Sequence, residues 1–367
     1  STSGWCTSHL PRTRRAPSSA PTIASRRRGA PRWSRCNAAP GRANAPAPSP
    51  GPSGRARPVP SSPEERQRPL RFHKDSILAA AMPELPEVEI TRQKLLPLIR
   101  GRKILDFGTD WPRGLQATNG KGQMTNGRWV ATDIRGRRIL AVRRRGKVLF
   151  FKLSGKPERM VAIHLGMSGR LEVPHAAKAA RGSTWVHFVW RLGGRRELRF
   201  IDPRKFGRVW YGSPGVLRRD PYIASLGTDA KAILPDEFMT ALRGRRGMVK
   251  PLLLRQDVVA GIGNILADES LWRARIHPQT SVAALKGDAL GRLYRGLQAT
   301  IRAVLASGGT SMRTFRHPDG TSGRYQERRL VYGRAGSPCP RCRARLQRVV
   351  VGGRGTTICP QCQRMRI

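Results

Sequence analysis

The pattern of apolar and polar positions divides the chain into stretches of different character. From about residue 128 to 211, short apolar runs alternate with Gly, Pro and charged breaks, as in 147–153 and 185–190, which is typical of β-strands. From about 235 to 306 the apolar spacing becomes helical, as in 265–272. The last thirty residues are rich in Cys, Gly and Arg. The pattern predicts an α+β multi-domain protein with a β-rich domain, a helical domain and a small metal-binding module.

The first 81 residues differ from the rest because they show no apolar period. They hold 13 of the 29 prolines, and 15 Lys and Arg against three Asp and Glu. Such a segment buries too little apolar surface to offset its ordering entropy, so we expect residues 1–81 to be disordered. A start assigned too far upstream, a removed targeting segment or a permanent basic arm would each account for it, and a Met-Pro start at Met82 favours the first. The predicted domains are 82–214, 215–334 and 335–367.

The net charge of the chain indicates which class of molecule it binds. The chain has 70 Lys and Arg against 23 Asp and Glu, a formal net charge of +47, of which +35 lies beyond residue 81. An excess of this size indicates a polyanionic partner, with nucleic acid first. No apolar run approaches the roughly 18 residues of a membrane-spanning helix, so we expect no membrane partner. Nothing in the sequence indicates obligate oligomerisation, and a monomer is predicted.

Four cysteines near the C-terminus follow the spacing C-x2-C-x16-C-x2-C, at Cys339, Cys342, Cys359 and Cys362. Two close pairs can each bend around one ion, and the hairpin between them closes a tetrahedral thiolate site. Two disulfides are the alternative, but adjacent pairs of this kind in a non-secreted chain favour one zinc ion. Because four protein ligands leave no open coordination position, the predicted zinc is structural.

The stretch that begins at Met82 is the most informative. Met82-Pro83-Glu84-Leu85-Pro86-Glu87-Val88-Glu89 resembles the opening of the bacterial formamidopyrimidine-DNA glycosylases, which remove oxidised purines from DNA. The likeness continues through 145–147, 163–169, 202–207, 261–265, 331–334 and the zinc cysteines, and so covers essentially all of 82–367. The resemblance implies an N-terminal β-sandwich with flanking helices, a helix–two-turns–helix domain and a C-terminal zinc β-hairpin. It also implies a bifunctional enzyme of base-excision repair.

The nucleophile implied by the resemblance is Pro83, which becomes the N-terminus in this family once Met is removed. A terminal amine has a pKa of about 8, against about 10.4 for a lysine, so a useful fraction is unprotonated at neutral pH. Pro83 would attack the sugar C1′, expel 8-oxoguanine or a formamidopyrimidine and leave an iminium, and β,δ-elimination would follow as AP lyase activity. With residues 1–81 attached, the Pro83 nitrogen is an amide. A persistent extension would therefore leave a non-catalytic zinc DNA-binding protein.

Glu84 and Glu87 stand at the start of a predicted helix that reaches Gly101, where carboxylates are favourable in any protein. We assign that ordinary role to Glu87. For Glu84 the resemblance favours a general acid that protonates the sugar ring oxygen. Lys147 ends a basic run and begins an apolar strand, and the resemblance implies that it contacts the phosphate near the lesion. The alternative for Lys147 is an ordinary strand-edge lysine.

Further residues are assigned to the DNA. A base inside a duplex is out of reach, so the nucleotide must be flipped out and the gap filled. The resemblance implies that Met167, Arg204 and Phe206 fill the gap, with Arg204 at the orphaned cytosine. His164 and His187 are candidate phosphate ligands, although a strand histidine is more often merely packed.

Two more phosphate contacts are expected in the C-terminal half. The segment 261–264, Gly-Ile-Gly-Asn, precedes a predicted helix whose N–H groups suit a phosphate, with Asn264 as N-cap or phosphate ligand. A plain tight turn is the alternative. Arg354 matches the zinc-hairpin arginine that grips the lesion's phosphate in the family. Glu269 matches another family position, whose role is left open.

The loop 319–326 departs from the family pattern. The family usually places a basic residue near Thr321 and an aromatic where Gln326 stands, and this loop covers the flipped base, so lesion preference is the least determined property. The alternative is the endonuclease VIII branch, which prefers oxidised pyrimidines. Leu85 argues against it, because that branch tends to have glycine there. We expect a cytoplasmic, nucleoid-associated bacterial enzyme that acts on damaged double-stranded DNA.

Overall fold

The computed structural model describes residues 83–119, 121–174, 184–285, 288–311 and 316–365. The predicted disorder of the first 81 residues lies outside the described residues, and so does Met82. The helices are α1 (Leu85–Ile99), α2 (Gly127–Ile134), α3 (Pro214–Arg219), α4 (Pro221–Ser225), α5 (Pro235–Leu242), α6 (Val249–Leu254), α7 (Asn264–Ala274) and α8 (Ala289–Ala306). The strands are β1 (Ile104–Thr109), β2 (Leu115–Thr118), β3 (Met124–Thr125), β4 (Ile139–Arg145), β5 (Val148–Leu153), β6 (Met160–His164), β7 (Arg170–Glu172), β8 (Val186–Leu192), β9 (Arg196–Ile201), β10 (Arg208–Gly212), β11 (Thr228–Asp229), β12 (Val259–Ala260), β13 (Gln347–Val351) and β14 (Arg354–Ile358). Short 3-10 helices lie at Pro112–Gly114, Val282–Ala284 and Tyr325–Glu327.

The first domain is a sandwich of two sheets. One has the strand order β1-β8-β9-β7 with antiparallel neighbours, and the other has the order β3-β2-β10-β6-β5-β4, in which β10 and β2 run parallel. Side chains on a strand alternate between its two faces, so each sheet can present one apolar face to the other. Phe188 and Trp190 of one sheet share a buried core with Phe151 and Ile163 of the other.

Helix α1 joins the two larger cores of the protein. It begins after Glu84, whose extended backbone is suited to an N-cap, and Pro86 occupies the first turn, where a missing N–H costs nothing. Val88 and Leu95 pack into the sandwich core, whereas Leu85 belongs to the core of the helical domain. The first residues of the helix are therefore fixed by both domains at once.

The helical domain is built around α7 and α8. Leu266 and Leu271 of α7 share a core with Leu293 and Leu297 of α8. Gly296 permits the close crossing of the two helices, because a Cβ there would lie 2.9 Å from the carbonyl oxygen of Ser270. Strands β11 and β12 form a short parallel pair beside these helices.

The C-terminal module is an antiparallel hairpin of β13 and β14. Gly352 and Gly353 form its turn with φ of 55° and 71°, a conformation that side chains with a Cβ rarely adopt. Cys339 and Cys359 are buried beside Trp272 and Val331, so the module packs on the helical domain.

The structure confirms the α+β class and the three-part arrangement, with differences in detail. The helix expected from Glu87 to Gly101 begins two residues earlier and ends at Ile99. The first strand begins at Ile104, well before residue 128. The sequence pattern does not predict β1 and β3, because both lie at sheet edges, where only part of each strand is buried and the apolar pattern is weak. In the part of the chain that the structure describes, no helix is long and apolar enough to cross a bilayer.

Candidate active site

Pro83 and Glu84 lie beside the loop that precedes α7. Pro83 is buried, and the Leu85 N–H donates to the Gly261 carbonyl at 3.0 Å. Gly261 has φ of 107°, and a Cβ there would lie 2.6 Å from Leu85 Cδ1. The absence of a side chain at Gly261 therefore lets the start of α1 lie close to this loop.

The Glu84 carboxylate occupies the N-terminus of α7. It accepts hydrogen bonds from the N–H groups of Gly263 at 3.0 Å, Ile265 at 2.7 Å and Leu266 at 3.0 Å. The expectation that the N–H groups at the start of this helix are free for a phosphate is therefore wrong for these three donors. The assignment of Asn264 as N-cap is also wrong, because Gly263 is the N-cap and Asn264 is the first helical residue.

Burial of Glu84 favours a proton on its carboxyl group. Burial raises the pKa of Glu84, while the positive charge of Lys147 and the three N–H donors oppose the rise. Burial lowers the pKa of Lys147, and the negative charges of Glu84 and Glu87 oppose that change. A raised pKa makes the Glu84 carboxyl group a better holder of the proton that a general acid must donate.

Glu87 stands in the first turn of α1 and acts within the protein. Its carboxylate accepts from the Glu84 N–H at 3.0 Å and from the Thr310 N–H at 2.8 Å. Burial, together with the negative charge of Glu84, raises the pKa of Glu87 to about 7. Glu87 therefore fixes both the backbone of Glu84 and the segment that follows α8.

The tight turn before Lys147 is held by residues that the sequence did not single out. The Asp229 carboxylate accepts from the Gly146 N–H at 2.7 Å and from Arg144 Nη2 at 3.0 Å, and Arg144 Nε donates to Glu89 at 2.9 Å. Gly146 has φ of 56°, and a Cβ there would lie 3.0 Å from that of Ala260. We call Glu89, Arg144 and Asp229 the interdomain clamp. No local sequence pattern predicts the interdomain clamp, because Arg144 and Asp229 are 85 positions apart.

His164 lies near Lys147 as a neutral donor. Its Nδ1 accepts from the Gly166 N–H at 3.2 Å, which leaves the proton on Nε2. Burial lowers the pKa of His164 to about 4, with the charges of Lys147 and Arg208 adding to the effect. A neutral N–H of this kind can donate to a phosphate oxygen.

The zinc hairpin brings Arg354 and the start of α7 together. Asn264 Nδ2 donates to the Gly355 carbonyl at 3.0 Å, and the exposed Arg354 contributes to the lowered pKa of Lys147. Behind them, Lys250 and Asp268 form a fully buried ion pair at 2.5 Å. Lys250 Nζ also donates to Thr356 Oγ1 at 2.6 Å, and the Thr357 N–H donates to Asp268 at 3.0 Å. The pair anchors β14 to the helical domain.

Met167, Arg204 and Phe206 lie on two loops that pack against each other. Phe206 is 51% exposed, and the Arg204 guanidinium lies 4.6 Å above its ring. The Asp202 carboxylate organises both loops: it accepts from the Gly207 N–H at 2.7 Å and from the hydroxyl of Ser168, the neighbour of Met167. The half-buried Met167 and the exposed pair are thus presented at one edge of the sandwich.

His187 is placed apart from the other predicted ligands. It is 4% exposed, its Nδ1 lies 2.8 Å from Asp110 Oδ1, and its ring meets the edge of Trp111. It lines a cavity of about 480 Å³ whose described walls include Asp106 and Arg191 and none of the other predicted site residues. The structure does not bring His187 to the group around Lys147.

The four cysteines fit a zinc ion. Their Sγ atoms all lie within 4.8 Å of one another, and no disulfide joins them. Zinc–sulfur bonds of about 2.3 Å in a tetrahedron set the sulfurs about 3.8 Å apart. The Cys339–Cys362, Cys342–Cys359 and Cys342–Cys362 separations are 3.9, 3.4 and 3.5 Å. One structural zinc is bound by this set, as the spacing predicted.

Glu269 and the loop 319–326 have structural partners. The buried Glu269 carboxylate accepts the N–H groups of three successive residues, Leu330 to Tyr332. Lys94 Nζ donates to Asp319 at 2.9 Å and to the hydroxyl of Thr321, the position where the loop departs from the family pattern. A lysine of α1 therefore places positive charge beside Thr321.

Comparison with known proteins identifies the family. Residues 82–209 match the formamidopyrimidine-DNA glycosylase N-terminal domain, 226–316 its helix–two-turns–helix domain, and 336–364 the zinc finger found in this family and in isoleucyl-tRNA synthetases. Formamidopyrimidine-DNA glycosylase of Deinococcus radiodurans is 39% identical over 303 residues, covering 78% of this chain and 98% of the relative. That of Chloroflexus aurantiacus is 40% identical over 285 residues, covering 77% and 98%.

Solved structures of proteins from this family are similar to this chain. The crystal structure of the MutM (Fpg) protein from Thermus thermophilus is 36% identical with a TM-score of 0.67, covering 77% of this chain and 98% of that one. A complex of Lactococcus lactis Fpg with abasic-site DNA is 31% identical with a TM-score of 0.69, covering 77% and 100%. Fold and site define a zinc-containing DNA glycosylase of base-excision repair. The chain belongs to the formamidopyrimidine-DNA glycosylase family, whose members act on oxidised purines and typically have AP lyase activity.

Proposed function

We propose that this chain excises 8-oxoguanine and formamidopyrimidines from duplex DNA and cleaves the strand through an iminium on Pro83. The observation that carries the proposal is the convergence of Pro83, the protonatable Glu84 and the buried Lys147 where both domains meet. The bound partner is damaged double-stranded DNA, and the protein acts as a monomer on the bacterial nucleoid.

The reaction requires a free amine at Pro83. Its lone pair forms the N–C1′ bond as the base leaves with the electrons of the glycosidic bond, and the proton that the nitrogen then loses balances the one that the base takes up. A proton from Glu84 to the ring oxygen opens the sugar and gives the iminium. Loss of a C2′ proton then expels the 3′ phosphate, and a second elimination expels the 5′ phosphate. Intact-mass measurement of the natural protein tests the requirement, because a cleaving enzyme that retained the upstream residues would refute it.

The remaining residues hold the DNA. The charge of Lys147 acts on His164 and that of Arg354 acts on Lys147, so these donors lie near one another and suit the phosphates that flank the lesion. Asn264 bonds to Gly355, the neighbour of Arg354. Met167, Arg204 and Phe206 fill the gap left by the flipped nucleotide, with Arg204 at the orphaned cytosine. The exposure of Arg204 and Phe206, with the half-buried Met167 on the neighbouring loop, supports this assignment.

Borohydride trapping on an 8-oxoguanine duplex tests the chemistry, since only an iminium is reduced to a covalent protein–DNA adduct. We expect Glu84→Gln to lose trapping by at least about a hundredfold, the usual contribution of a general acid. Glu158→Gln removes an exposed carboxylate and serves as the matched control. Pro83→Gly retains weak trapping through its own amine. Equal trapping by Glu84→Gln and wild type would refute the role of Glu84, and faster trapping on an oxidised pyrimidine would favour endonuclease VIII-like specificity.

A further inference from the structure

Three turns of the sandwich domain consist of arginine, lysine and glycine alone. Residues 100–103 read Arg-Gly-Arg-Lys, 135–138 read Arg-Gly-Arg-Arg, and 193–196 read Gly-Gly-Arg-Arg. Eight of these twelve residues are cationic and none is acidic. We call the three turns the basic ridge.

The three turns form one continuous surface. The Gly101 N–H donates to the Ile139 carbonyl at 2.7 Å, and Arg138 Nη1 donates back to the Gly101 carbonyl at 2.9 Å. The Gly193 N–H donates to the Lys103 carbonyl at 2.8 Å. Two of these contacts join backbone to backbone and one is made by the Arg138 side chain, so the ridge holds its cations on turns that are bonded to one another.

Among the described residues, part of the ridge charge is not paired with a carboxylate. Arg102 and the buried Arg137 are used internally, as donors to backbone carbonyls. Arg100, Lys103 and Arg138 are exposed, and the described residues place no carboxylate within ion-pair distance of them.

The carboxylates nearest to the ridge are already engaged. Asp133 accepts from Arg159 Nε at 2.7 Å, and Asp106 lies 3.6 Å from Arg135 and 3.4 Å from Arg191. Within the described part of the chain, Arg135 of the ridge therefore has a carboxylate beside it, whereas the exposed Arg100, Lys103 and Arg138 do not.

The ridge lies far from the active site. Helix α1 starts beside Glu84 and ends at Ile99, so its 15 residues span about 22 Å at 1.5 Å per residue. Strand β4 gives a second estimate of this distance. It runs from beside Arg138 to the turn before Lys147, about 20 Å at 3.3 Å per residue. The ridge is therefore separated from Glu84 and Lys147 by about the length of α1 or of β4.

We propose that the basic ridge binds a second DNA duplex while the active site holds the first. The proposal rests on the family's action on DNA, and it goes beyond the active site. Duplex DNA carries one charge per about 1.7 Å of axis, a density that suits closely spaced cations on turns that are bonded to one another. Holding two segments would let the enzyme pass from one to the other without release.

The full-length chain is first loaded with an excess of a short abasic-site duplex that carries a donor fluorophore. A second, undamaged duplex with an acceptor is then titrated, and energy transfer reports the ternary complex. We expect Arg100→Gln/Lys103→Gln/Arg138→Gln to weaken binding of the second duplex at least about tenfold. The slope of log K against log salt should fall by about 2.7, three times 0.9.

Two variants separate charge from fold and from general electrostatics. Arg100→Lys/Arg138→Lys keeps the charge and should retain the ternary complex. Arg292→Gln/Arg295→Gln/Arg302→Gln removes three cations from the exposed face of α8 and should leave it unchanged. The proposal is overturned if the ridge variant binds the second duplex as wild type does, or if the α8 variant loses as much. Binding of the first duplex, measured alone, reports on the proposed active site independently.

Discussion

The position of the Glu84 carboxylate depends on the absence of a side chain at Gly263. A Cβ at this position would lie 2.3 Å from Glu84 Cδ, well inside contact distance. Gly263→Ala must therefore displace either the carboxylate or the start of α7. We expect a loss of about 1–3 kcal/mol in unfolding free energy, the usual cost of overpacking, and a much larger loss of excision rate.

Gly215→Ala is the matched control, since nothing lies within 4 Å of its added Cβ. Urea unfolding and single-turnover excision on the same 8-oxoguanine duplex would measure both effects. Normal excision by Gly263→Ala would show that Glu84 need not be held at the helix N-terminus.

His164 makes folding sensitive to acid. Its pKa is about 4 in the folded protein against an ordinary value of 6.5, so between these values the unfolded chain binds a proton that the folded protein does not. The free energy of unfolding therefore falls as pH is lowered from 6.5 to 4, by at most roughly 3 kcal/mol. His164→Gln should flatten this part of the pH profile in urea unfolding. An unchanged profile would assign the acid sensitivity to other groups.

The sequence predicts the zinc ligands better than it predicts contacts between distant segments of the chain. Cys339 and its three partners were predicted because ligand spacing in a hairpin is local. The segment 261–264 predicts a helix start whose N–H groups suit a phosphate. The structure shows Glu84, which is 179 positions from Gly263. Pairings across such distances depend on how the domains pack, and no local periodicity records them.

At the scale of elements, the zinc hairpin depends on an anchor outside its own cysteines. The Lys250–Asp268 pair holds β14 through Thr356 and Thr357. Burial lowers the pKa of Lys250 and raises that of Asp268 to about 6, so each charge is tolerated only beside the other. The hairpin is thus positioned by the helical domain as well as by zinc.

Lys250→Met should leave a buried carboxylate without its partner, at a cost of about 3–5 kcal/mol. We expect faster hydrogen exchange at the Thr357 amide and weaker DNA binding through a displaced Arg354, while β5 stays protected. Lys152→Met, which removes an exposed lysine of β5, is the control. Unchanged exchange at Thr357 would show that zinc alone positions the hairpin.

At the scale of the whole molecule, the two large domains meet at α1 and at the interdomain clamp. Leu85 packs in the helical core while Val88, one turn later, packs in the sandwich core. Arg144 joins Glu89 of α1 to Asp229 of the helical domain. Burial would raise the pKa of Glu89, but hydrogen bonds from Arg92 and Arg144 hold it at about 2. The geometry around Lys147 is thus a property of the domain interface.

Asp229→Asn tests this view, because it removes the charge opposite Arg144 while keeping an oxygen for the Gly146 N–H. Since that turn precedes Lys147, we expect the single-turnover excision rate to fall at least about tenfold, with a loss of roughly 1–3 kcal/mol in unfolding free energy. Asp257→Asn breaks an exposed pair with Arg255 and should change neither, because exposed pairs contribute about 0–1 kcal/mol. If Asp229→Asn lowered stability but left the excision rate intact, the clamp would join the domains without positioning Lys147.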